Sequence, residues 1–120
     1  MPAEEVDVPT AQEMWRAGDL VIDVRTPDEY ARGHLPGAVN VGVDGIALWA
    51  RAALRPGSQV VTTCSTGNRS WRAAQSLGRL GHTALSLTGG VKAWAAAGLP
   101  LASGPTPRKR PHRPGAAKQA

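Results

Sequence analysis

The sequence predicts an α/β fold, a mostly parallel central sheet of four to five strands with helices on both faces. Three observations predict it. Short β-branched apolar runs alternate with segments of helical spacing, the order of repeated strand–helix units. Those runs are nearly continuous in apolar residues, which fits strands covered on both sides. The chain has 120 residues, 42% hydrophobic and 19% charged, which suits one domain with its own core.

The elements follow in order. Residues 1–7 are read as an N-terminal extension, 8–102 as the domain and 103–120 as a tail. Thr10-Ala-Gln-Glu13 has the form of a capping box, and Gly18 stops the helix it opens. Leu20–Val24 is the first strand. Thr26-Pro-Asp-Glu29 is a second capping box, with Pro27 at the first helical position and Gly33 as the stop. Ala38–Val41 is the second strand. Asp44 is placed to cap a helix running through Leu54, which Pro56-Gly57 ends. Gln59–Thr63 is the third strand. A helix over Ser70–Leu80 carries Trp71, Ala74 and Leu77 at core spacing, and Gly81 terminates it. Ala84–Leu87 is the fourth strand. Gly89-Gly90 turns the chain into a last helix, Val91–Ala97, which carries Trp94 toward the core and ends at Gly98 and Pro100.

The net charge of +5 belongs to the tail. Residues 1–103 hold nine Lys/Arg and nine Asp/Glu; the excess is Arg108, Lys109, Arg110, Arg113 and Lys118. This tail is basic and rich in proline, lacks large apolar residues, and is expected to be disordered and solubilising. The folded part carries no electrostatic footprint for nucleic acid, so no nucleic-acid partner is expected. No apolar run reaches the roughly 20 residues of a membrane span. Met1–Pro9 is acidic and lacks the apolar core of a secretory signal, so the expected location is cytoplasmic. A single cysteine, Cys64, excludes an internal disulfide and a two-thiol redox cycle. One Cys with the scattered His34, His82 and His112 has no metal-ligand spacing, and no cofactor is expected.

The chemistry concentrates in Cys64-Ser-Thr-Gly-Asn-Arg69-Ser70. A β-branched strand delivers Cys64 to its carboxyl end, where open α/β sheets hold their ligands. The loop then opens a helix, so several backbone N–H groups lack helical partners and can turn toward the sulfur. Gly67 permits the tight curl. These dipoles, with the charge of Arg69, are expected to hold the Cys64 thiol below its ordinary value of about 8.5. The product is an activated sulfur nucleophile facing an anionic substrate. The loop is one residue shorter than the Cys–Arg loop of protein tyrosine phosphatases, and a tighter bowl suits a sulfur carried on Cys64 better than a tetrahedral phosphate.

Several neighbouring residues are read as structural. Asp23 and Arg25 at the end of the first strand form a buried pair. His34 is a structural histidine rather than a base. His82 follows Gly81 at a turn and is expected to be exposed.

Three blocks carry a family resemblance. The loop Cys64–Ser70 resembles the active-site loop of single-domain rhodanese-like sulfurtransferases. Asp23-Val-Arg-Thr-Pro-Asp-Glu-Tyr30 with Gly33-His-Leu-Pro-Gly-Ala-Val-Asn40 resembles the family's N-terminal signature. Leu87-Thr-Gly-Gly-Val-Lys-Ala-Trp94 with Ala97-Gly-Leu-Pro100 resembles its C-terminal signature. The resemblance implies a rhodanese-like fold and a two-step transfer. Cys64 takes sulfane sulfur from thiosulfate or a related donor as a persulfide, and a nucleophilic acceptor such as cyanide or a thiol removes it. Ser65, Thr66, Gly67, Asn68, Arg69 and Ser70 would line the substrate. Many catalytic members place a basic residue after the cysteine, where this chain has Ser65. The alternative is a sulfur-relay or persulfide-sensing module with little free turnover. A small phosphatase or arsenate reductase is disfavoured by the loop length and the absent second cysteine.

Overall fold

The computed structural model describes residues 3–105. The expectations for most of the tail fall outside that range. Five strands among the described residues, β1 (Ala3–Val6), β2 (Leu20–Asp23), β3 (Val39–Asn40), β4 (Gln59–Thr63) and β5 (Thr83–Leu87), pair in parallel in the order β1-β5-β4-β2-β3. Helices α1 (Val8–Arg16), α2 (Pro27–Arg32), α3 (Ile46–Ala53) and α4 (Asn68–Arg79) connect them, and α5 (Gly90–Ala96) follows β5. The sheet is covered on both faces. On one side Ile22, Val60, Cys64 and Ala84 meet Ile46 of α3 and Leu77 of α4. On the other Val21, Val61 and Leu87 meet Ala11 of α1, Tyr30 of α2 and Trp94 of α5. No helix among the described residues is long and apolar enough to cross a membrane.

Four details differ from the sequence expectations. Residues 3–6, read as extension, form β1, in register with β5 from Ala3↔Ala84 to Val6↔Leu87. Glu4 and Glu5 break the apolar pattern, but an edge strand needs only a main-chain ladder on one side. The cap of α1 is Asp7, whose Oδ1 accepts from the Thr10 N–H at 3.0 Å, so Thr10 lies inside the first turn. Asp44 caps nothing; it sits in a 3-10 turn over Val43–Gly45 that leads into α3 without a side-chain cap. Helix α4 starts at Asn68 rather than Ser70, which tightens the loop after β4. The second capping box holds as expected, with Thr26 and Glu29 bonded reciprocally.

Two side chains sit elsewhere than expected. His82 is buried, and its Nδ1 accepts from the Ser58 N–H at 3.2 Å, tying the turn before β5 to the start of β4. Trp71 is half-buried and belongs to neither core cluster, because α4 presents Ala73, Ala74 and Leu77 to the sheet. Trp94 is fully buried, stands edge-on to Trp15 at 5.4 Å and donates its indole N–H to the Pro100 carbonyl at 2.7 Å.

A polar knot positions the turn from β2 into α2. Asp23, fully buried, takes Arg25 Nη2 at 2.7 Å and Nε at 2.9 Å, while the same Nη2 donates to the Gly33 carbonyl. Asn40 Nδ2 donates to the carbonyls of Asp23 and Arg25. His34 stacks on Tyr30 at 3.6 Å, and its Nδ1 lies 2.7 Å from the Tyr30 carbonyl. These groups are structural, as their burial and mutual partners require. Their result is an α2 held at a fixed height above the sheet.

Candidate active site

The strand order places the chemistry. The chain leaves β2 toward β3 on one side and leaves β4 toward β5 on the other. A crevice therefore opens between the carboxyl ends of β2 and β4. The loop after β4 carries Cys64, and the turn after β2 carries α2.

Cys64 is 1% exposed, and its Sγ is enclosed by its own loop. The Gly67 N–H donates to it at 3.0 Å and the Ser70 N–H at 3.3 Å. The Ser70 hydroxyl lies 3.5 Å away. That hydroxyl is oriented by the Ser86 Oγ of β5 at 2.8 Å and by the Gly67 carbonyl at 3.1 Å. Thr62 fastens the start of α4 by donating to the Ser70 carbonyl at 2.9 Å. Gly67 adopts φ +121, which only glycine takes without strain.

The outer wall is held by α5. The Val91 N–H donates to the Cys64 carbonyl at 2.8 Å and the Lys92 N–H to the Ser65 carbonyl at 3.3 Å. With those carbonyls drawn outward, the following amides face the sulfur. Gly89-Gly90 is thus more than turn chemistry. A Cβ on Gly90 would run into the carbonyl oxygens of Cys64 and Ser65.

Burial pushes the Cys64 thiol up, but the Ser70 hydroxyl and the N–H groups of Ser70, Gly67 and Thr66 outweigh it, and the thiol is held below its ordinary value. The sequence expectation gave part of this role to Arg69. Its guanidinium hydrogen-bonds Glu29 of α2, with Nη1 to Oε1 at 2.7 Å and Nη2 to Oε2 at 2.9 Å, and acts on Cys64 through charge alone, without a hydrogen bond to the sulfur. The structure brings Cys64, Gly67 and Ser70 directly together. Ser65 is half-buried with its Oγ 3.5 Å from Glu29 Oε2, while the side chains of Thr66 and Asn68 face outward. The sequence reading treated Glu29 only as a capping residue and passed over Ser86. Nothing local marks either, because each reaches the loop only through the fold, across 36 residues from Ser65 and 16 from Ser70.

The Ser70 hydroxyl gives a direct test of this electrostatic balance. Ser70→Ala removes the hydroxyl whose hydrogen bond with Cys64 holds the thiol down, so the Cys64 titration should move to higher pH and alkylation by iodoacetamide at pH 7 should slow severalfold. The alkylation rate measured against pH reads the midpoint in both proteins. An unmoved midpoint would contradict the role given to Ser70.

The chain is similar to known proteins in sequence and in fold. Residues 7–97 match the Rhodanese-like domain family. The chain is 33% identical over 107 residues to thiosulfate sulfurtransferase 16, chloroplastic, of Arabidopsis thaliana, covering 79% of this chain and 89% of that protein. It is 36% identical over 83 residues to a sulfurtransferase of Allochromatium vinosum, covering 68% and 77%. Among solved structures, a thiosulfate sulfurtransferase from Pseudomonas aeruginosa superposes with a TM-score of 0.74 at 31% identity, over 86% of this chain and 20% of that one.

Proposed function

Because this chain belongs to the Rhodanese-like domain family, and its relatives include sulfurtransferases, we propose that it moves sulfane sulfur through a persulfide on Cys64. The observation that carries this reading is the Cys64 Sγ receiving the N–H groups of Gly67 and Ser70 inside a closed loop. Such a cradle stabilises an anionic sulfur both before and after it is loaded.

The thiolate attacks the outer sulfur of thiosulfate or a related donor. A new Sγ–S bond forms, the donor's S–S bond breaks, and its electron pair leaves with sulfite. The negative charge now rests on the outer persulfide sulfur. Cyanide or a thiol then attacks that sulfur, and the Cys64 thiolate departs as it was. Nucleophile and leaving group are anions at each step with thiosulfate and cyanide, so no proton transfer is required and His34 need not serve as a base. Burial of Cys64 to 1% exposure favours donors that present a slender terminal sulfur. The loop residues Ser65–Ser70 supply the binding surface, and the acting unit is taken as residues 8–102 with β1 added to its sheet edge. A lone thiol suits the reducing cytoplasm.

Steady-state rates with thiosulfate and cyanide test the reading. Thiocyanate should form, and double-reciprocal plots at several cyanide concentrations should be parallel, as a covalent intermediate between two half-reactions requires. Intersecting lines would contradict it. Loading of Cys64 without turnover would favour the relay module instead.

A further inference from the structure

We propose that Glu29 sets donor choice: by holding Arg69 it disfavours dianionic donors and matches the site to sulfane-sulfur donors carrying one negative charge, such as organic thiosulfonates. The proposal rests on the reading of Cys64 as the sulfur carrier.

Both oxygens of Glu29 are engaged by Arg69. The pair is half-buried, with side-chain exposures of 33% for Arg69 and 27% for Glu29, and it touches the loop at the Ser65 hydroxyl. Glu29 is not able to swing aside at will. Its Oε1 also accepts from the Thr26 N–H at 3.0 Å and lies 3.2 Å from the Thr26 hydroxyl, so leaving would break the cap of α2. Other cations do not replace Arg69 at the loop. Arg25 is committed to Asp23 and the Gly33 carbonyl. Lys92 meets the loop through its backbone N–H, and its side chain is exposed. The position after the nucleophile is Ser65, which is uncharged.

The charges at the site are therefore one cation, one carboxylate and one thiolate, a net of one negative charge facing the donor. Glu29 is held well below the usual carboxylate range, first by the Arg69 hydrogen bonds, so it stays charged at every working pH. A dianion meets twice the repulsion of a monoanion of the same shape. With methanethiosulfonate, the Cys64 thiolate forms the Sγ–S bond, the donor's S–S bond breaks, and methanesulfinate leaves with the electron pair.

The test compares thiosulfate with methanethiosulfonate on wild type and Glu29→Gln, following persulfide formation and kcat/KM with cyanide as acceptor. Glutamine keeps the capping geometry of α2 while removing the charge. Repulsion scales with donor charge, so the gain for the dianion should be about the square of the gain for the monoanion. Roughly tenfold for thiosulfate against threefold for methanethiosulfonate is expected, mostly in KM. Raising the ionic strength on wild type should likewise help thiosulfate more than methanethiosulfonate. Equal changes for both donors would reduce Glu29 to a structural residue and overturn the proposal. A fall in thiosulfate use would overturn it too, since it would mean that Arg69 serves the dianion only while Glu29 positions it. If neither donor loads Cys64 in either protein, the sulfur-carrier reading fails first and the proposal falls with it.

Discussion

Cys64→Ala should abolish sulfur transfer, lowering kcat/KM by roughly four orders of magnitude or more, while leaving the chain folded. The reason is the absence of any substitute. Cys64 is the only cysteine in the sequence; the Ser70 hydroxyl donates to the Gly67 carbonyl, and the Ser65 hydroxyl meets only Glu29, whose carboxylate is held well below the usual range and is a weak base. Cys64 also belongs to the buried cluster that contains Ile22, Val60 and Ala73, and its sulfur accepts two backbone N–H groups. Removing it leaves a small void and two donors with a lost partner, a cost of about 2 kcal/mol. Thiocyanate production and a thermal melt separate the two effects. More than a few per cent of wild-type turnover in a folded variant would contradict the assignment.

Gly90→Ala should damage both stability and activity. Gly90 sits at φ +62, in the left-handed region that favours glycine. Its neighbours make the position stricter still: an added Cβ would lie 2.6 Å from the Ser65 carbonyl oxygen and collide with that of Cys64. Both are backbone atoms, so neither can turn aside as a flexible side chain would. Relief requires α5 to back away from the loop, which breaks the bonds from the Val91 and Lys92 N–H groups. Backbone strain and overpacking together amount to about 4 kcal/mol, a fall of more than about 10 °C in Tm for a domain of this size. A displaced loop should also cost at least about a hundredfold in kcat/KM. Gly98→Ala is the control: its φ is +79, but an added Cβ would meet nothing within 4 Å. If Gly90→Ala melts and turns over like Gly98→Ala, α5 does not hold the loop as described.

Much of this fold was legible from local pattern. The runs Leu20–Val24 and Gln59–Thr63 are β-branched and apolar, and both lie in interior strands of the sheet. The second capping box announced α2 because its two partners are three residues apart and need no tertiary context. β1 was hidden, since Glu4 and Glu5 carry an edge strand's side chains and its order comes from β5. The first capping motif misled because Asp7, one turn earlier, competes for the Thr10 N–H and prevails. His82 looked like a turn residue facing solvent, and its burial follows from Ser58, 24 residues away.

The candidate site divides in the same manner. The cradle around Cys64 was readable, because strand, glycine and helix start are consecutive. The destination of Arg69 was not. A guanidinium beside a loop cysteine suggests a charge acting on the sulfur, and that interaction is present, but the strand order also places Glu29 within reach across 40 residues, where it takes up the hydrogen bonds. Gly90 was visible as a turn residue, and its contact with the Cys64 carbonyl appears only once α5 is folded back against the loop.

Both half-reactions pass through the Cys64 Sγ as the atom that carries sulfur. Intact mass after incubation with methanethiosulfonate or thiosulfate tests that most directly, with Cys64→Ala alongside. Wild type should gain one sulfur, about 32 Da, lose it again on adding cyanide, and the variant should gain nothing. A gain on both proteins, or none on wild type with either donor, would contradict the account.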